Sequence, residues 1–103
     1  MELLVITAVK AFEEKVKNVL ETSNVQAYSY NSVIGFRNSK QENDTNNWFG
    51  GSLNEVDSLL FFAFVKSNTI SKIFEEVDKI NLACETKNRI HLAVLPITKH
   101  TNH

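Results

Sequence analysis

Ser58-Leu59-Leu60-Phe61-Phe62-Ala63-Phe64-Val65 is the most apolar segment of this chain. In a strand, successive side chains point to opposite faces, so the segment puts Leu59, Phe61, Ala63 and Val65 on one side and Leu60, Phe62 and Phe64 on the other. Leu3–Val9 behaves the same way, with Leu4, Ile6 and Ala8 opposite Leu3, Val5 and Val9. Both runs read as strands buried on both faces. A sheet built around them needs a cover on each side.

Outward from these two runs, the pattern changes to helical spacing. Phe12, Val16, Val19 and Leu20 form one stripe after the first strand, with Glu13 four residues before Lys17 on the outside, and Ser23-Asn24 ends that helix. A second strand runs from Val25 to Phe36, carrying Tyr28, Tyr30, Val33 and Ile34. After Ser58–Val65, Ser67-Asn68-Thr69 offers caps for a second helix with Ile70, Ile73, Phe74, Val77 and Ile80 on one stripe, Glu75 and Lys79 as an outward pair, and Asn81 as its stop. The last strand is Arg89–Leu95, closed by Pro96, and a polar tail follows.

The order is βαββαβ. It predicts an α+β, ferredoxin-like domain over residues 1–103: one four-stranded antiparallel sheet, two helices on a single face, and a long loop between strands 2 and 3. Two helices cover one face only. The other would expose more apolar surface than soluble monomers usually show, so the sequence predicts a homo-oligomer packed sheet to sheet; the alternative is that the long loop folds back over the sheet, against which its polar composition argues.

The chain has 103 residues and a mass of 11.7 kDa, with 11 Lys and Arg against 12 Asp and Glu. A domain of this length buries about two-thirds of its unfolded surface, which makes the core marginal without a partner subunit. The balanced charge argues against nucleic acid as a partner, because binding phosphates needs a basic surplus. Cys84 is the single cysteine, so neither an internal disulfide nor a cysteine-based zinc framework is available, and a reducing, cytoplasmic setting is expected. Leu59–Val65, the longest apolar run, is far too short to cross a bilayer, and the apolar N-terminus lacks the basic start of a signal peptide.

Candidate chemistry concentrates around the loop. Residues 37–47 contain no apolar side chain, and Trp48-Phe49-Gly50-Gly51 then interrupts the polar stretch. Loops of this length in a compact domain usually serve a function, and exposed aromatics such as Trp48 and Phe49 commonly anchor partners. At the loop base, Gly35-Phe36-Arg37-Asn38 combines a glycine that permits close backbone approach with a guanidinium fork and an amide, a set suited to an anion or nucleotide. Lys87-Asn88-Arg89 adds a second cationic spot, and a solvated turn accounts for it equally well. No glycine-rich phosphate loop occurs. Cys84 and His91 are linked by no catalytic motif, and Glu13-Glu14 and Glu75-Glu76 lie on outward helix faces, so no enzymatic activity is expected. His91 shares a strand face with Ala93 and Leu95, where a structural histidine is the ordinary reading. His100 and His103, three apart in the tail at residues 98–103, would form an imidazole metal site if copies met.

Leu3–Val9, Lys10-Ala11-Phe12, Val19-Leu20, Val25-Gln26-Ala27-Tyr28 and Val33-Ile34-Gly35-Phe36-Arg37-Asn38 together resemble the PII family of trimeric signalling proteins over most of the chain. The resemblance implies a homotrimer and equates residues 37–56 with the family's T-loop, whose base lines a nucleotide pocket between subunits and whose tip reaches transporters and enzymes. By this resemblance Gly35, Phe36, Arg37 and Asn38 bind the effector, Lys87 or Arg89 supplies further cationic contacts, and Trp48 and Phe49 meet the partner. The chain departs from PII proteins at Leu82–Asn88, which has no glycine where the family holds phosphates, and in lacking the modifiable loop tyrosine. Ala93-Val94-Leu95-Pro96-Ile97 is similar to the close of CutA proteins. The second expectation is therefore a CutA-like trimer for divalent-metal tolerance, using His91, His100 and His103. The cofactor expected is an adenine nucleotide on the first reading and a divalent metal on the second.

Overall fold

The structure is a computed structural model that describes residues 1–36 and 55–101. Its elements run β1 (Glu2–Val9), α1 (Glu13–Thr22), β2 (Ser29–Phe36), β3 (Glu55–Val65), α2 (Ile70–Ala83) and β4 (His91–Pro96). The sheet is four-stranded in the order β2-β3-β1-β4, and each neighbouring pair is antiparallel. This is the ferredoxin-like arrangement that the order of apolar runs predicts.

The register shows why β1 and β3 occupy the centre. Leu4 lies opposite Ala63, Ile6 opposite Phe61 and Ala8 opposite Leu59. All six are at most 5% exposed, and Val16, Val19 and Leu20 of α1 and Ile73 and Val77 of α2 close over them. Among the described residues no element covers the opposite face. There Leu3 stands between Phe64 and Leu95, and Val5 between Phe62 and Ala93. Phe64 is 62% exposed, Leu95 47% and Phe62 40%, against 1% for Phe61 on the covered side.

Four boundaries differ from the sequence reading. Strand 2 begins at Ser29 rather than Val25, because Asn24 takes a left-handed φ of 64° and the Val25 amide turns back to the Leu20 carbonyl at 3.0 Å. Residues 25–28 are then spent reaching the sheet edge. Strand 3 begins at Glu55, so Glu55 and Val56, read as loop, pair with Phe36 and Gly35 instead. Strand 4 begins at His91, which leaves Arg89 in the connection after α2. Helix 2 runs on past Asn81 to Ala83.

The first helix stripe and one outward pair are as expected; on α2 Ile70, Ile73, Val77 and Ile80 face the core, whereas Phe74, read as part of that stripe, is 40% exposed. Lys17 Nζ meets Glu13 Oε2 at 2.7 Å, and Tyr30 donates its hydroxyl hydrogen to the same oxygen at 3.1 Å. The ammonium stands 4.7 Å from the centroid of the Tyr30 ring, which stacks on Phe61 at 4.9 Å. Hydrogen bonds from Lys17 and Tyr30 hold the Glu13 carboxyl below its ordinary range, and the cluster ties α1 to edge strand β2. On α2 the cation Lys79 pairs with Glu76 at 3.4 Å, not with Glu75.

Asn81 does more than sit near a helix end. Its side-chain amide donates to the Ile90 carbonyl at 3.0 Å, and its oxygen accepts from the Ile90 amide at 2.8 Å. Ile90 is 3% exposed, so this one side chain satisfies both backbone groups of a buried residue and sets where β4 starts. Asn81→Ala strips both partners at once, and the expected cost is roughly 1–3 kcal/mol, read as a lowered urea midpoint with an unchanged slope. A midpoint equal to wild type would show that water replaces the clamp.

Candidate functional site

The candidate ligand residues fall in two places. Gly35 and Phe36 end β2, in a two-stranded ribbon made with Glu55–Asp57 that continues past the last β1–β3 pair, Val9 opposite Ser58. Lys87 and Arg89 lie in the connection between α2 and β4. Arg37, Asn38, Trp48, Phe49 and His103 lie outside the described residues.

A side chain at position 35 would displace the Ser58 hydroxyl. A Cβ there would lie 2.9 Å from Ser58 Oγ, whose hydroxyl donates to the Val56 carbonyl at 3.1 Å. With no side chain of its own, position 35 leaves flat backbone beside that hydroxyl, at the foot of the loop. Ile34 and Phe36 alternate to the other side of the ribbon and are 62% and 74% exposed.

The α2–β4 connection is organised around Thr86. Its hydroxyl accepts from the Asn88 amide at 3.2 Å and shares a hydrogen bond with Cys84 Sγ at 3.2 Å. Cys84 Sγ also donates to the Asn88 carbonyl at 3.4 Å. Arg89 turns its guanidinium onto the carbonyls of Thr86 and Asn88, the second at 2.8 Å. A glycine-free segment thus gains its shape from side-chain bonds to its own backbone. Hydrogen bonds from Thr86 lower the Cys84 pKa first of all, with smaller help from the Arg89 and Lys15 charges. The thiol opens on a groove of about 310 Å³ between the helices, which Phe12, Lys15, Lys79 and Ile80 also line.

The topology sets how these two places relate. β2 runs parallel to β1 and β4 antiparallel to it, so the end of β2 and the start of β4 share one end of the sheet. They lie on opposite edges, three strand spacings or about 14 Å apart. A single protomer therefore does not bring the ribbon of Gly35 beside Arg89. The histidines are separated as well: His91 starts β4, whereas His100 follows its far end and bonds through Nδ1 to the Thr101 carbonyl at 2.9 Å. Among the described residues, no three His, Cys, Asp or Glu side chains are grouped so as to hold a metal ion. Cys84 meets Thr86 and Asn88, on the same connection. The sequence reading missed the Thr86 hub and the Asn81 clamp; the one available signal was the polar run Glu85-Thr86-Lys87-Asn88-Arg89 between helix and strand.

The fold is the ferredoxin-like arrangement, and it is similar to that of solved PII-like proteins. A particular example is CPII, a nitrogen regulatory PII-like protein from Thiomonas intermedia K12, whose solved structure is bound to ADP, AMP and bicarbonate. The likeness covers 97% of this chain and 94% of that one, with a TM-score of 0.62 and 14% identity, and at that identity it is a likeness of fold. No known protein family matches the sequence, and no curated protein matches it. Among the described residues no helix is long and apolar enough to cross a membrane.

Two variants check the local arguments. Thr86→Val removes the hydroxyl that stabilises the thiolate, so Cys84 should be alkylated by iodoacetamide several-fold more slowly at pH 7.5, and an unchanged rate would assign the thiol's state to the nearby charges instead. Gly35→Ala should cost under about 1 kcal/mol by evicting the Ser58 hydroxyl from its bond, and nothing further in a Ser58→Ala background. Equal costs in both backgrounds would show that the added methyl strains the ribbon itself.

Proposed function

We propose that this chain is a PII-like regulatory protein that works as a homotrimer, without enzymatic activity, in the cytoplasm. A small anionic effector, an adenine nucleotide or an anion such as bicarbonate, binds where the ribbon of one subunit approaches the α2–β4 connection of the next. The observation that carries this reading is the bare sheet face, with Phe62, Phe64 and Leu95 between 40% and 62% exposed. Identical copies packed on that face would cover it, and they offer a way for groups on opposite edges of one sheet to meet across subunits. The ligands named for the PII-like neighbour, ADP, AMP and bicarbonate, support the choice of effector class.

In this reading Gly35 admits the ligand to the backbone, while Phe36, Arg37 and Asn38 contact it from the ribbon. Lys87 and Arg89 contact it from the neighbouring subunit. Arg89 would exchange the Thr86 and Asn88 carbonyls for the anion, gaining a charge-assisted pair in place of two neutral acceptors. Residues 37–54 then act as the regulatory loop, with Trp48 and Phe49 as its contact for a partner, a membrane transporter being the class that the PII resemblance implies. An effector can shift the loop only if it binds one loop state better than the other.

Sedimentation of the full chain at micromolar concentration should give a trimer. Titration with ADP, AMP, ATP and bicarbonate, followed by Trp48 fluorescence, should give saturable binding with at least one of them. Arg37→Ala and Arg89→Ala should each weaken it by about tenfold or more, the usual loss of a charge-assisted hydrogen bond. A monomer, or silence toward all four compounds by both fluorescence and calorimetry, would overturn the proposal.

A further inference from the structure

The ribbon at the foot of the loop carries a patch on the helix side of the sheet. Ile34 stands opposite Asp57 and Phe36 opposite Glu55, so two apolar side chains and two carboxylates share one side. Even steps along β2 connect them to Tyr30, which stacks on the core residue Phe61. All four are exposed, and they lie beyond the last β1–β3 pair, Val9 opposite Ser58. Such a patch is matched by a surface of apolar and basic character.

The groove between α1 and α2 has that character. Phe12, Ile80 and Ala83 line it with apolar surface, and Lys15 and Lys79 bring two ammonium groups against the single carboxylate of Glu76, which pairs with Lys79 at 3.4 Å. Its volume of about 310 Å³ lies at the lower end of the roughly 300–1,000 Å³ of small-ligand sites, room for two side chains about 7 Å apart on a strand. Within one protomer the Tyr30–Glu13 hydrogen bond holds α1 against β2, which places that helix between the ribbon and the groove.

We propose that the ribbon of one copy docks in the α1–α2 groove of a second copy, with Ile34 and Phe36 against Phe12, Ile80 and Ala83, and with Glu55 and Asp57 toward Lys15 and Lys79. The contact joins two different surfaces, so it closes into a ring or continues as a chain according to the rotation between copies. It goes beyond the sheet-face packing proposed above and does not depend on it. Burial of the apolar side chains supplies the attraction, while the opposite charges set how the ribbon lies and speed encounter. The Gly35 side of the ribbon stays open to the effector.

Cys84 lines the groove and is the single thiol of the chain, so it reports on whatever docks there. Ile34→Cys adds a thiol on the docking side of the ribbon, and Val33→Cys adds one on the opposite side. Each variant is treated with a short bismaleimide at micromolar concentration; denaturing gels count the copies joined, and peptide mass spectrometry locates the link. Ile34→Cys should join position 34 to position 84 of a different copy, in several-fold higher yield than Val33→Cys joins position 33 to position 84. In sedimentation, Glu55→Lys with Asp57→Lys should weaken self-association at least roughly tenfold, as should Lys15→Glu with Lys79→Glu, and a chain carrying all four changes should recover it. Circular dichroism checks that each variant is folded, and should a charge variant unfold, the crosslink decides. Wild type monomeric at every concentration, a link within single copies, equal yields from both positions, or no recovery in the folded fourfold variant each overturn the inference. An assembled protein that gives no link between positions 34 and 84 overturns it while leaving the sheet-face assembly standing.

Discussion

The structure depends on the pairing of β1 with β3 at the centre of the sheet. Both strands are apolar on both sides, and their register puts Ile6 against Phe61 on one face and Val5 against Phe62 on the other. A central pair of this kind cannot be satisfied by one layer of helices. On the covered side α1 and α2 bury it to near completion, and α1 is held to the sheet edge by the contacts among Glu13, Lys17, Tyr30 and Phe61. On the other side the demand for burial remains among the described residues, and the proposed assembly follows from that demand.

The second constraint is geometric. In the strand order β2-β3-β1-β4, the ends of the two edge strands nearest the candidate ligand residues share one end of the sheet but lie on opposite edges. Gly35 with its flat backbone and Arg89 with its guanidinium are therefore halves of different clefts in one protomer. A ligand that needs both has to sit between copies, which makes binding and assembly parts of a single equilibrium. Anything that binds the assembled state stabilises it by mass action.

Much of the fold is legible in the residues. Alternation in Leu59–Val65 and Leu3–Val9 assigns both central strands, the 3.6-residue stripes through Val16, Val19 and Leu20 and through Ile73 and Val77 assign both helices, and their order assigns the topology. The boundaries are less legible because they are decided by partners distant in sequence. Glu55 and Val56 look like loop residues, yet the backbone across from them on β2 recruits them into a ribbon. Asn81 looks like a helix stop; the helix passes it, and its amide instead holds Ile90 nine residues on. The candidate site was legible as residue types. Arg89 reads as a free cation in sequence, and nothing local tells that its own loop carbonyls already engage it.

The sequence by itself determined the order of elements, the helix-facing core and the surplus of apolar surface on the second face, because these depend on periodicities of 2 and 3.6 that each segment carries alone. Tertiary structure decided where the strands begin, which carbonyls the Arg89 guanidinium meets, and that Ser58 fills the space beside Gly35. Those facts depend on register and on contacts between segments far apart in the chain, and no local pattern encodes them.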